Sequence, residues 1–366
     1  MKSIVKVFAL VLALTMFMSL FASCAQKQES DVNDAKPTTT EEKETEIETG
    51  KKEEAKPEKK IFVGISLPTQ REQRWVWDRE NFEKLSKELN VDIAIQIADN
   101  DAAKQQSQCE NLLSQGIDVL IIAPHDGKAA ANIVAMAHEA GVKVISYDRL
   151  ILDTDVDLYL TFDQEKIGEI QGEWLVSKVD KGNIVLLSGD PADSTSVPLR
   201  QGALNKLQPK IDSGDYKIVL DQAVRDWQPS EALKHMENAL TATNNDIQGV
   251  IAPNDGTAGA CIQALAAQGL AGKVPVTGMD AEVDALKRII EGTQGMTVFT
   301  DIRDLARGAM ESAIKLVKGE EPDVNNVMNN GKIDVPSIFI EARLIEKDDI
   351  KPILIDGGFI KEEDLK

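Results

Sequence analysis

IFVGISLPTQREQRWVWDRENFEKLSKELNVDIAIQIA, residues 61–98, holds a short apolar run, a stretch of helical spacing and a second short apolar run. The runs IFVGISL (61–67) and DIAIQIA (92–98) have the length and composition of strands in a covered sheet, and the segment from Trp75 to Leu89 between them predicts a helix. The unit then repeats. VLIIAP (119–124), a helix ending at Ala140-Gly141, and VKVISYD (142–148) complete a first series. After YLTFD (159–163) the pattern restarts with NIVLLSG (183–189), YKIVLDQAV (216–224), GVIAP (249–253) and PVTGMD (275–280), each followed by a helical stretch. MTVFTD (296–301) and IDVPSIFI (333–340) are late strands that return to the first series and recross. Apolar β runs alternating with 3.6-period segments specify an α/β fold of doubly wound parallel sheets with helices on both faces.

Composition limits what such a fold can do. Over 366 residues the formal charge is −20, with a pI near 4.7, which argues against a protein that coats phosphate backbones with clustered Lys and Arg. A hydrophobic content of 42% is that of a globular chain with a sizeable core, and the length suggests about two domains at roughly 150 residues each. Three cysteines exclude a disulfide framework.

The N-terminus reads as an address. Lys2 and Lys6 precede an apolar run from Val7 to Phe21, followed by small residues and Cys24, the layout of a signal peptide. The run is shorter than a lasting transmembrane helix requires. FASC (21–24) resembles the lipobox of bacterial lipoproteins, in which the Cys is lipidated and becomes the mature N-terminus; Phe21 stands where Leu is usual. From Ala25 to Lys60 there are eight Lys and eleven acidic residues but only one Ile and one Val, too little apolar surface to offset chain entropy. That segment is expected to be a disordered charged tether between a lipidated Cys24 and a folded body.

In open parallel sheets, ligands sit beyond the carboxyl ends of the strands. Polar and aromatic residues gather there: Arg74-Trp75, Asp148-Arg149, Asn254-Asp255 and Asp280, with Arg200 and Trp227 just after other strands. Two lobes facing each other with such edges would enclose one small polar ligand.

SYDR (146–149), LYLTFDQEKIGE (158–169), MENALTATNNDIQGVIAPNDGTAGACIQALAAQGLAGKVPVTGMDAE (236–282) and QGMTVFT (294–300) resemble the bacterial D-xylose-binding proteins. These are periplasmic-type sugar receptors of ABC importers, in the ribose/galactose-binding superfamily. The resemblance implies a type I periplasmic binding protein, with two lobes joined by three hinge crossovers near residues 162, 299 and 335. The lobes would comprise 61–162 plus 300–335, and 163–299 plus 336–366. It implies a monosaccharide clamped between them, D-xylose first and D-glucose as well, and delivery to an importer permease by a monomer outside the cytoplasm. Trp75 and Trp227 match the positions that sandwich the sugar ring, whose C–H faces suit aromatic faces. Arg74, Asp148, Arg149, Arg200, Asn254 and Asp280 match the hydroxyl-binding set, where planar Arg forks donate and carboxylates accept. Trp77 and Trp174 lack that match and are expected to pack. Asp255 is expected to cap the helix beginning at Gly256. Relatives often carry Lys-Pro where this chain has Thr300-Asp301, so a smaller Thr300 is expected to relax discrimination against glucose.

Other chemistries lack their residues. DNDAAKQQSQCE (99–110) has acids at positions 1, 3 and 12 of a calcium loop but Lys104 where glycine is required, and it reads as the start of a helix. His125, His138 and His235 have no metal-ligand spacing, and no cofactor or metal is expected. No nucleophile elbow, Walker loop or dinucleotide fingerprint occurs, so no enzyme is expected. Cys109 and Cys261 read as buried free thiols. The competing role is sensory: a sugar-loaded receptor docking a membrane histidine kinase or chemoreceptor. A repressor is excluded, since a signal peptide and tether stand where a DNA-binding headpiece would be. Lipid anchoring through Cys24 has a direct test, because two or more acyl chains hold a protein stably on a membrane. Cys24→Ser is expected to release the protein on membrane fractionation; a mutant that stays bound after signal cleavage contradicts the lipoprotein assignment.

Overall fold

β1 (Phe62–Leu67) and β2 (Asp92–Ile97) pair in parallel around α1 (Gln73–Glu88), the arrangement expected from their apolar runs. In the computed structural model, which describes residues 59–366, α2 (Ala102–Ser114), β3 (Val119–Ile122), α3 (Ala131–Glu139), β4 (Lys143–Tyr147) and β5 (Leu158–Phe162) continue the series. The signal peptide, Cys24 and nearly all of the expected tether lie outside the described residues. All four residues of β3 are fully buried, as a central strand covered on both faces must be. Leu120 and Ile122 face one core layer with Ile133 and Val134, while Val63, Ile65 and Leu67 face another with Phe82.

The chain crosses to a second lobe at Asp163, whose carboxylate caps α4 (Gln164–Lys178) by accepting from Lys166 N. There β6 (Gly182–Ser188), α5 (Ser196–Asp212), β7 (Tyr216–Ala223), α6 (Pro229–Thr243), β8 (Gly249–Ile251), α7 (Asp255–Ala267), α8 (Val283–Glu291) and β9 (Thr297–Thr300) follow. The sheet order β7-β6-β8 is parallel. Residues 275–280, expected as a full strand, make a single bridge at Val276 to Val250. Pro275 lacks an N–H, and Thr277 Oγ1 takes over the ladder by accepting from Ala252 N and donating to Ala252 O, each at 2.9 Å.

Asp301 marks the second crossing and caps α9 (Ile302–Lys318), which returns to the first lobe. β10 (Asn326–Asn329) and β11 (Asp334–Ile340) complete its sheet in the order β10-β11-β5-β4-β3-β1-β2, with β10 the antiparallel edge. The third crossing differs from the expected position. β11 stays in register with β5 from Ser337 to Ile340, so residues 336–340 belong to the first lobe and the chain recrosses at Glu341. β12 (Ala342–Ile345) then pairs antiparallel with β9 in the second lobe. The strand runs past residue 335 because its backbone bonds to β5 continue there.

α4 and α5 approach through glycines. A Cβ on Gly202 would lie 1.9 Å from Glu165 O, and one on Gly168 would lie 1.9 Å from Leu199 O. Gly202→Val is therefore expected to force the helices apart and cost about 1–3 kcal/mol in chemical denaturation. Gly256→Ala on α7 has no neighbour closer than 3.9 Å and is expected to be neutral or stabilising. Equal effects of the two substitutions would contradict the close-packing explanation.

Candidate functional site

The carboxyl ends of the strands from both lobes meet around a small, mostly polar cavity. From the first lobe, α1 supplies Arg74 and Trp75 in its first turn, and the end of β4 supplies Asp148 and Arg149. Arg74 Nη1 donates to Asp148 Oδ1 at 2.9 Å, and its Nη2 and Nε donate to Asp78 Oδ2 at 3.1 and 3.3 Å. Asp78 lies fully buried beneath, hydrogen-bonded by Tyr147 Oη, and burial pushes its pKa up to about 6 against the pull of Arg74. The Arg74 guanidinium carbon sits 4.2 Å from the Trp75 ring centroid and that of Arg149 sits 5.2 Å away. Asp148 has φ 63°, an uncommon conformation for a non-glycine residue; Tyr159 Oη and Thr161 Oγ1 hold it by donating to its carbonyl at 2.9 and 2.8 Å.

From the second lobe come Asp193 and Thr195 after β6, Trp227 after β7, Asn254 after β8, and Met279 and Asp280 before α8. Trp227 has φ 54°, costly for so bulky a residue, and its Nε1 donates to Asp193 Oδ2 at 3.0 Å. Its ring lies against Gly189, where a Cβ would come within 2.1 Å of it. Asn254 is the N-cap of α7, its Oδ1 accepting from Thr257 N at 3.0 Å. Asp280 has φ 103°, and burial pushes its carboxyl up to about 7, with Arg74 pulling the other way.

The lobes are closed on each other. Gly127 N donates to Ala192 O at 3.1 Å, Leu150 N to Ser194 Oγ at 2.7 Å, Gln73 N to Glu282 Oε1 at 3.1 Å and Val283 N to Gln73 Oε1 at 3.0 Å. Arg149 Nε lies 2.8 Å from Asp193 Oδ2, a buried ion pair across the cleft that lacks hydrogen-bond alignment. Three lining residues carry buried oxygens without a partner among the described residues: Glu72 Oε2, Gln164 Oε1 and Asp280 Oδ1. All three are acceptors when the carboxyls are ionised. Such atoms call for an occupant rich in hydrogen-bond donors.

Of the residues expected from sequence, Arg74, Trp75, Asp148, Arg149, Trp227, Asn254 and Asp280 line this one cavity, and Arg200 does not. Arg200 lies on α5, half-exposed, with Nε 3.1 Å from Asp221 Oδ1 and Nη2 bonded to Oδ2. Its neighbour Leu199 takes the buried face of that helix, which turns Arg200 outward toward β7. Asp255 is not a cap. It is fully buried in the first turn of α7, accepts from Gln294 Nε2 and Thr297 Oγ1 at 2.8 and 2.9 Å, and is pushed up to about 7 by burial and then by Asp280. Thr300 is buried on β9 outside the lining, its Oγ1 without a hydrogen-bond partner among the described residues. Trp77 packs edge-on against Phe359, and Trp174 Nε1 donates to Glu346 at 2.9 Å. Sequence reasoning missed Glu72, Gln164, Asp193, Thr195 and Met279; Gln164 at the first crossing and Met279 beside Asp280 carried a usable positional signal.

No group of three metal-ligating side chains occurs among the described residues. Asp101 caps α2 by accepting from Lys104 N at 3.0 Å, so 99–110 is a helix start. Cys109 and Cys261 are buried free thiols, each pushed up to about 12 by burial.

Residues 63–321 match the periplasmic binding protein domain. The D-xylose-binding periplasmic protein of Escherichia coli (strain K12) is 45% identical over 307 residues, 84% of this chain and 93% of that protein. Its counterpart in Haemophilus influenzae is 41% identical over 307 residues, 84% of this chain and 92% of that protein. The solved structure of a carbohydrate transporter solute-binding protein from Chloroflexus aurantiacus, in complex with D-glucose, superposes with a TM-score of 0.79 at 36% identity, covering 84% of this chain and 98% of that one. With a two-lobed fold closed over a polar cavity and a match across most of its length, this chain belongs to the periplasmic binding protein family.

Proposed function

We propose that this protein captures a monosaccharide, D-xylose first and D-glucose as a second ligand, between its two lobes and delivers it to an ABC sugar importer. The observation that carries this reading is the closed cavity itself. Two tryptophans line it, two arginines can donate, and three buried acceptors have no partner among the described residues. A pyranose meets each feature, with C–H faces for aromatic rings and hydroxyls that both donate and accept. The names of the relatives and the glucose in a related structure support the same reading. Its place of work is outside the cytoplasm, anchored by a lipid on Cys24. No helix among the described residues is long and apolar enough to cross a membrane. Binding without chemical conversion is its role, a reading that the sugar-binding names of its relatives support.

Calorimetry with D-xylose and D-glucose tests this. Arg149→Ala or Trp227→Ala is expected to lower xylose affinity about tenfold to a hundredfold, since each leaves Asp193 short of a buried partner. Arg200→Ala, outside the cavity, is expected to leave it within about twofold. No heat with either sugar, or a loss from Arg200→Ala equal to that from Arg149→Ala, contradicts this site.

A further inference from the structure

Beside the sugar cavity runs a second, larger groove of about 840 Å³. Its walls come from both lobes: Leu150, Leu152, Phe162 and Phe339 from the first, Pro191 and Pro198 from the second. Three residues, Gln164, Asp193 and Thr195, line both spaces and so stand between them. Two of the three are tied down. Thr195 Oγ1 donates to Asp193 Oδ1 at 2.7 Å, and Asp193 Oδ2 holds Trp227 Nε1. Gln164 is different: it is buried in the partition, yet its Oε1 has no hydrogen-bond partner among the described residues. It is the side chain that can swing aside with the smallest loss.

We infer that the groove is a subsite for the apolar, uncharged aglycone of a pentoside, whose sugar ring occupies the polar cavity while its substituent passes Gln164. This rests on the sugar reading of the cavity and extends its ligand class from free monosaccharides to aryl glycosides. The chemistry of the walls selects that class. Aliphatic, proline and aromatic side chains favour an apolar substituent, and burial of a ring against them contributes in proportion to the area removed from water. Asp126, Asp163 and Glu165 outnumber Lys128 along the groove, which disfavours an anionic group. Because the walls belong to different lobes, a substituent lying there touches both and favours the closed arrangement together with the sugar.

The test is calorimetry of the full chain with D-xylose and with the α and β anomers of p-nitrophenyl D-xyloside, repeated with Val197→Arg. Val197 lines the groove while 70% exposed and is absent from the sugar cavity, so the substitution is compatible with folding. One anomer is expected to bind and to compete with xylose. Val197→Arg is expected to weaken that glycoside by about tenfold and leave xylose within about twofold. Xylose binding with neither glycoside competing overturns the inference and leaves the sugar reading intact. Glycoside binding insensitive to Val197→Arg overturns it too, by placing the aryl group elsewhere. Binding of neither xylose nor glycoside brings down the sugar reading itself.

Discussion

Asp193 is where the two halves of the site become one. Its Oδ2 takes the Trp227 indole N–H at 3.0 Å and lies 2.8 Å from Arg149 Nε, and its Oδ1 takes Thr195 N and Oγ1 at 2.9 and 2.7 Å. Arg149 belongs to the first lobe and the others to the second. A carboxylate this deeply buried costs several kcal/mol unless a cation and hydrogen bonds compensate it. The loop after β6 therefore gains its cation only when the first lobe lies against it. Trp227 is held in a left-handed backbone over Gly189 by the same carboxylate, so platform, charge and closure are one arrangement.

The remaining charges follow a similar logic with one exception. Arg74 serves both Asp78 and Asp148, so the first lobe carries a satisfied network under Trp75. Among the described residues Asp280 makes no direct ion pair, and its Oδ1 has no hydrogen-bond partner. With Asp78, Asp255 and Asp280 all raised by burial, to about 6, 7 and 7, the closed protein holds protons that exposed carboxyls have released. Each contributes stability below its unfolded value that is lost as pH rises through its folded one, a window from about pH 4 to 7. A hydroxyl donating to Asp280 favours its ionised form and works against that loss. Polar ligand and polar wall are thus mutually stabilising.

Much of this was legible in the sequence. Apolar β runs separated by helical stretches gave the two doubly wound lobes, and charged or aromatic residues at strand ends located the cavity. What periodicity could not supply was direction. Arg200 sits in the right segment, but helical rotation after the buried Leu199 sends it to Asp221. The cap of α7 falls to Asn254 and not to Asp255, because it is decided by backbone angles one residue earlier than composition suggested. The third crossing moved from 335 to Glu341 because backbone pairing with β5, invisible in a single strand's composition, carries β11 onward. Asp193 and Thr195 were missed because a loop of small and polar residues, DPADSTS (190–196), resembles any other turn until its partner lobe is in place.

On the proposed function, sugar binding and lobe closure are the same event, with the acceptors of Glu72 and Asp280 satisfied from within the cleft. Small-angle X-ray scattering of the full chain, titrated with D-xylose and followed in parallel by calorimetry, addresses it most directly. The predicted result is a fall in the radius of gyration that saturates at the same sugar ratio as the heat. A radius that stays constant while the calorimeter registers stoichiometric binding, in a sample shown to be open beforehand, would contradict it.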